Sequence, residues 1–298
     1  MLPEVAVRFW QLLAKACVPR GEEMKKHVIH VILLFELLCA AAPAQRTETI
    51  PEGKFVNSCA NPRSMPLDVV VWHRDKKYVD EVPVLRFPDK HAFFFISGMS
   101  IDADGAPNAY HPDDTGLDEL ANAGSPTRWD GIITDQEGNP LIQEESDPFP
   151  GYYISCTSLA DENKDFTDPT RYVDATDIPY VALPEEVADR GGARLGDFAF
   201  VMNLRNGESS FAIYADIGTL GEGSVALADA LGISSDARRG GQPDGILYVL
   251  FPGSRNLQPR TMGEIQSEGE KLLSHWGGMK KLSSCATTND DAVARGEF

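Results

Sequence analysis

Two carboxylates six positions apart, Asp216 and Glu222, lie in the run Ala215-Asp216-Ile217-Gly218-Thr219-Leu220-Gly221-Glu222-Gly223-Ser224. The first ends an apolar, β-type run. The second sits in a loop whose glycines, Gly218, Gly221 and Gly223, permit close backbone approach. Two carboxyls can divide acid and base work when their surroundings push their proton affinities apart. Taken by residue type alone, Asp216 serves equally as a turn cap and Glu222 as a solvated loop side chain. A second acidic motif, Met99-Ser100-Ile101-Asp102-Ala103-Asp104-Gly105, starts like a calcium loop. It lacks the remaining ligands and the closing Glu, so a plain turn is the better reading. His73, His91, His111 and His275 are scattered and no zinc spacing occurs, so we expect no metal and no cofactor.

The elements that must position these acids are read from periodicity. Phe198 to Leu204 and Ser210 to Ala215 are β-type runs around Asn206-Gly207, the signal of a type I′ hairpin turn. Ser224 is expected to cap a short helix, Val225 to Leu231, closed by Gly232. Further strands are predicted at 67–72, 82–87, 93–96, 131–134, 151–155, 172–174 and 180–183. Gly245 to Phe251 is apolar throughout, the pattern of a buried central strand. Helical turns are expected over 116–124. One long helix is predicted over Met262 to Trp276, capped by Thr261, with Ile265, Leu272 and Trp276 near one face and Gly277-Gly278 as its stop. Twenty Pro and 26 Gly fit many short strands joined by turns. The profile is mainly β: a barrel or bent sheet with a few peripheral helices.

The 298 residues allow one sizeable core. A basic start at Met24-Lys25-Lys26, an apolar stretch over 27–38 and Ala42-Pro43-Ala44 form a three-part signal pattern, with cleavage expected after Ala44. We therefore expect a secreted protein, extracellular or periplasmic, with a signal region over 1–44 (the signal proper at 24–44). An arm with first strands follows over 45–90, then a catalytic domain over 91–280 and a tail over 281–298. Residues 1–44 carry five basic and four acidic side chains, so the remainder holds 22 Lys and Arg against 41 Asp and Glu, a net charge of −19. Such a surface repels nucleic acid and anionic membrane and attracts polycations. Of the cysteines beyond residue 44, Cys59 and Cys285 are expected to pair, and Cys156 reads as a core thiol.

Several blocks together resemble glycoside hydrolase family 75, the chitosanases. They are Met99 to Gly105, Gly151-Tyr-Tyr-Ile-Ser-Cys-Thr-Ser-Leu159, Arg171 to Pro184, Leu195 to Leu204, Tyr214 to Gly232, Gly245 to Ser254, and the Glu264-Ile265 and His275-Trp276-Gly277-Gly278 segments. The resemblance covers about residues 90–278. It implies an endo-acting hydrolase of β-1,4-linked glucosamine, inverting, with an Asp and a Glu as catalytic pair. By motif these fall on Asp216 and Glu222, in a loop shorter than that of fungal members. Inverting hydrolysis needs carboxyls ~6.5–9.5 Å apart, which six residues across a glycine loop can span. Glu222 is the favoured acid.

The hairpin, loop and short helix are also similar to the repeating unit of a double-psi barrel, so the expected fold is a double-psi-like six-stranded β-barrel with extra strands and a few helices. Chitosan or partly deacetylated chitin is then the expected partner, with no nucleic acid, no membrane after signal cleavage, and a monomeric enzyme. Asp102, Asp104, Tyr110, Asp147 and Tyr152 are the candidate substrate-binding residues. Two alternatives stand beside this reading: a double-psi-barrel peptidoglycan lytic transglycosylase, and a non-catalytic expansin-like polysaccharide-binding module.

Overall fold

Short apolar runs cut by turn residues form nine strands in the computed structural model, which describes residues 82, 84–87 and 91–283. They are β1 (Leu85–Arg86), β2 (Phe93–Asp102), β3 (Gly124–Ser125), β4 (Arg128–Trp129), β5 (Tyr180–Leu183), β6 (Phe198–Asn203), β7 (Ser209–Ile217), β8 (Glu222–Ser224) and β9 (Gln242–Phe251). The signal segment, the strand expected at 67–72, the Cys59–Cys285 pair and the tail beyond 283 lie outside the described residues.

Six strands close on themselves in the order β2-β8-β5-β7-β6-β9, and β2 pairs again with β9. Closure removes the open sheet edges that would otherwise template aggregation. β1 adds an extra strand on β2, and β3 with β4 forms a separate small ribbon. The β2–β8 and β5–β7 pairs are parallel, while β5–β8, β6–β7, β6–β9 and β2–β9 are antiparallel. The expected six-stranded barrel with extra strands is therefore the observed architecture.

The interior is filled by side chains. Phe95 and Tyr248 stack across β2 and β9 with ring centroids 4.6 Å apart. Among the described residues four helices accompany the barrel: α1 (Glu185–Gly191), α2 (Val225–Ala230), α3 (Met262–Trp276) and α4 (Gly278–Ser283). In α3, Thr261 and Glu264 form a reciprocal capping box, which satisfies two backbone donors at the helix start. Ile265 and Leu273 are buried, and Gly269 lies where a Cβ would strike the Phe211 ring. Trp276 meets Phe87 and Phe251 edge-on and fastens the helix to the barrel.

Several local expectations change. The β6–β7 connection is a five-residue loop, not a type I′ turn: Gly207 takes positive φ and Asn206 does not. The Asn206 side chain instead accepts from Glu208 N and donates to Leu231 O. Residues 131–134, 151–155 and 172–174 make isolated bridges such as Ile132 with Ser155 and Ile142 with Tyr153, because each neighbouring segment turns away after one residue pair. The helical turns at 116–124 shrink to a 3-10 turn at Leu120–Ala123. Helix α1, begun by Pro184 and carrying Glu185 and Glu186 in its first turn, carried no amphipathic pattern long enough to announce it. Cys156 is a free, half-buried thiol on a satellite cluster of Ile154, Ala160 and Tyr172 rather than in the main core.

Candidate active site

Asp216 and Glu222 come together through the sheet. Asp216 on β7 pairs with Ala182 of β5, and Glu222 on β8 pairs with the same Ala182 from the other side. Residues directly opposite in neighbouring strands project on the same face, so both carboxylates flank one small side chain. Glu222 is thus the first residue of a strand, where the sequence had suggested a loop position.

Asp216 owes its aim to an irregularity. The β5–β7 register shifts between Val181 and Ala182, leaving Ala215 as an extra residue. Bulges re-aim side chains, and this one turns Asp216 onto the face of Ala182. The freed Ala215 carbonyl accepts from Leu159 N at 2.8 Å, drawing the 157–159 segment alongside. Ser158 then donates twice to Asp216 Oδ1, from its backbone N at 2.9 Å and its Oγ at 2.5 Å, and Ile217 N adds a third bond at 2.8 Å. Burial raises the Asp216 pKa, and the Ser158 and Ile217 hydrogen bonds oppose that rise.

Glu222 is held by fewer donors. Its Oε2 accepts from Thr219 N at 2.8 Å and from Thr219 Oγ1 at 3.2 Å. Burial, with the Asp216 charge adding to it, pushes Glu222 up to about 6 against the Thr219 bonds. Gly218 lies where a Cβ would run into Glu222 Oε2 and come within 3.0 Å of the Ala182 methyl. The glycine keeps the room in which Glu222 sits.

Asp102 and Asp104 join this group. Carboxylate oxygens of Asp102, Asp104 and Asp216 all lie within 4.8 Å of one another. Two unit charges at that distance repel by about 3–4 kcal/mol even at an effective dielectric of ~20. Burial first, then repulsion from a neighbouring carboxylate (Asp104 on Asp102, Asp216 on Asp104), raises both Asp102 and Asp104 well above the usual carboxylate range. Asp102 Oδ1 accepts from Asp104 N at 2.8 Å, and Asp104 Oδ1 accepts from the Tyr110 hydroxyl at 2.6 Å. Gly131 backs directly onto the Asp104 carboxylate. Three carboxylates are the set among the described residues that could share a cation. Hard cations such as calcium take roughly six to eight oxygens, and each of these three carboxylates already accepts a hydrogen bond from the protein.

The other candidates divide. Tyr110 is buried and acts through Asp104, as a support. Asp147 accepts from Glu144 N at 2.7 Å within its own loop. Tyr152 is half-buried and meets the His111 and Phe149 rings edge-on. Sequence reasoning missed Asp118, which is buried, raised to about 6 mainly by desolvation, and electrostatically coupled to both Glu222 and Asp104. It also missed Ser158, Thr219 and Tyr180, whose hydroxyl donates to the Asp104 carbonyl at 3.0 Å. The Tyr-rich and Ser-rich blocks around 152–158 and 180 were visible, but their convergence on the acids depends on long-range pairing.

The family model described as "Fungal chitosanase of glycosyl hydrolase group 75" matches residues 99–274, more than half of the chain and all of the acids above. No curated protein matches the chain.

Proposed function

Because the chain belongs to the fungal chitosanase family of glycosyl hydrolase group 75, and is thereby a chitosan-hydrolysing glycosidase, we propose that it cuts its substrate by inversion, with Glu222 as general acid and Asp216 as general base. The observation that carries this reading is the shared pairing of both residues with Ala182. Neighbouring strands lie ~4.8 Å apart, so two spacings put the backbones about 9–10 Å apart. Side chains on one face, leaning together, then fit the ~6.5–9.5 Å that an inverting pair needs for an interposed water.

The roles follow from the hydrogen bonds. Three donors on Asp216 Oδ1 favour its ionised form, and burial keeps a proton on Glu222 up to about 6. Glu222 gives its proton to the glycosidic oxygen as the C–O bond breaks. Asp216 takes a proton from water, whose oxygen attacks the anomeric carbon from the opposite face. Asp102 and Asp104 place further carboxyl oxygens beside Asp216, suited to accept hydrogen bonds from the ammonium or hydroxyls of a glucosamine unit. We also propose export, from the signal pattern over 24–44, and a monomeric enzyme.

The test is reducing-end release from soluble chitosan, with the anomer of the first product read by NMR. Asp216→Asn and Glu222→Gln should each lower kcat by roughly 10²–10⁴-fold with the fold intact by circular dichroism. A retained anomer, or near-normal turnover in either variant, removes the inverting assignment.

A further inference from the structure

Beyond the acids, one exposed ring and two half-buried ones gather at the 143–152 loop. Phe149 is 40% exposed. Its ring meets Tyr152 edge-on at 5.7 Å, and Tyr152 meets His111 edge-on at 4.7 Å. The loop that carries them is built to be rigid. Gln143 is buried and its amide is used at both ends: Nε2 donates to the Pro107 and Tyr153 carbonyls, and Oε1 accepts from Phe149 N at 3.1 Å. Phe149 lies between Pro148 and Pro150, which restrict the backbone on either side. Tyr152 N closes a turn onto the Phe149 carbonyl. An exposed phenyl ring held this firmly loses little entropy when it binds something.

The loop also connects to the acids. Tyr153 N donates to the Tyr110 carbonyl at 3.0 Å, while the Tyr110 hydroxyl donates to Asp104. His111 is the next residue. The ring cluster is therefore one tyrosine side chain and one peptide step away from the carboxylates. Its surroundings are acidic: Asp113, hydrogen-bonded to His111, and Glu144, Glu145 and Asp147 on the loop itself. Aromatic faces attract cations, and surrounding carboxylates add to that attraction.

We propose that Phe149, Tyr152 and His111 form a distal subsite for a further glucosamine unit of the chain being cut, seating its apolar ring face on the aromatics and its ammonium among the acids. It rests on the chitosan-hydrolysing reading of the acid cluster. A chain seated there is anchored away from the scissile bond, so long polymers bind better than short oligomers.

Two measurements test it. In the first, the Glu222→Gln protein is titrated with soluble chitosan polymer by calorimetry. Adding Phe149→Ala should weaken Kd roughly five- to tenfold, and Phe149→Trp should restore it. In the second, the catalytically competent Phe149→Ala enzyme should show a rise in the ratio of KM for polymer to KM for a glucosamine tetramer. An unchanged polymer Kd, or an equal loss on tetramer and polymer, overturns the subsite. The catalytic reading fails separately: turnover that survives Glu222→Gln sinks it, whatever Phe149 does to binding.

Discussion

At the scale of single residues, the two acids differ in how their protons are managed. Asp216 accepts three hydrogen bonds on one oxygen, one of them from the Ser158 hydroxyl. Removing that hydroxyl in Ser158→Ala should raise the Asp216 pKa, since a donor to the charged form is lost. The acidic limb of the pH–rate profile should then move to higher pH, with kcat at the optimum reduced roughly tenfold, and Ser158→Thr should move it back. In the proposed mechanism the basic limb belongs to Glu222, which must hold its proton to act as the acid. Activity should therefore fall as pH rises through about 6. A wild-type profile flat from pH 5 to 8 contradicts this division of roles. The sequence made Asp216 and Glu222 visible because loop glycines around acids are a local pattern. Asp118 and Ser158 were not legible, because each depends on a partner far along the chain: Ser158 lies 58 positions from Asp216.

At the scale of elements, the site depends on the Ala215 bulge and on the clearance at Gly218. Gly218 does not use positive φ, so alanine is compatible with its backbone. Gly218→Ala should thus fold, yet its methyl must displace the Glu222 carboxylate. A displacement near 1 Å costs about 10²-fold in rate when geometry is the limiting factor. We expect kcat to fall at least tenfold with a Tm shift of no more than a few degrees, and an unaltered kcat means that the clearance at Gly218 does not position Glu222. The element types of the barrel were largely readable: β9 and α3 announced themselves by continuous and helical apolar periodicity. The expected strands at 131–134 and 151–155 failed, since an apolar run says nothing about whether a neighbour stays alongside it. The parallel pairing of β2 with β8, which brings Asp102 near Glu222, has no local signature at all.

At the scale of the whole molecule, the cluster is a place where stability is given up. Folding raises the pKa values of Asp102, Asp104, Asp118 and Glu222, chiefly by burial. The folded state therefore binds more protons than the unfolded chain. The stability this linkage supplies is fully present below the ordinary carboxylate range and is lost as pH rises through about 6 and beyond. Thermal unfolding should show a higher Tm near pH 5 than near pH 8. Asp102→Asn, which keeps an acceptor for Asp104 N, should raise Tm at pH 8 by a few degrees, reduce its pH dependence and impair catalysis, as expected where function opposes stability. A lower Tm in that variant at pH 8 rules out the buried Asp102 charge as a cost to stability. The pairing of both Asp216 and Glu222 with Ala182 has a consequence for how such a chain can change over time. The interval between acid and base is gauged crosswise, by hydrogen-bonded neighbours on either side of one rung, and not lengthwise along residues 217–221. Insertions or deletions that leave Gly218 and Thr219 in place can therefore accumulate in that connection while the separation of the two carboxylates stays fixed, and the methyl of Ala182 becomes the landmark from which both are measured.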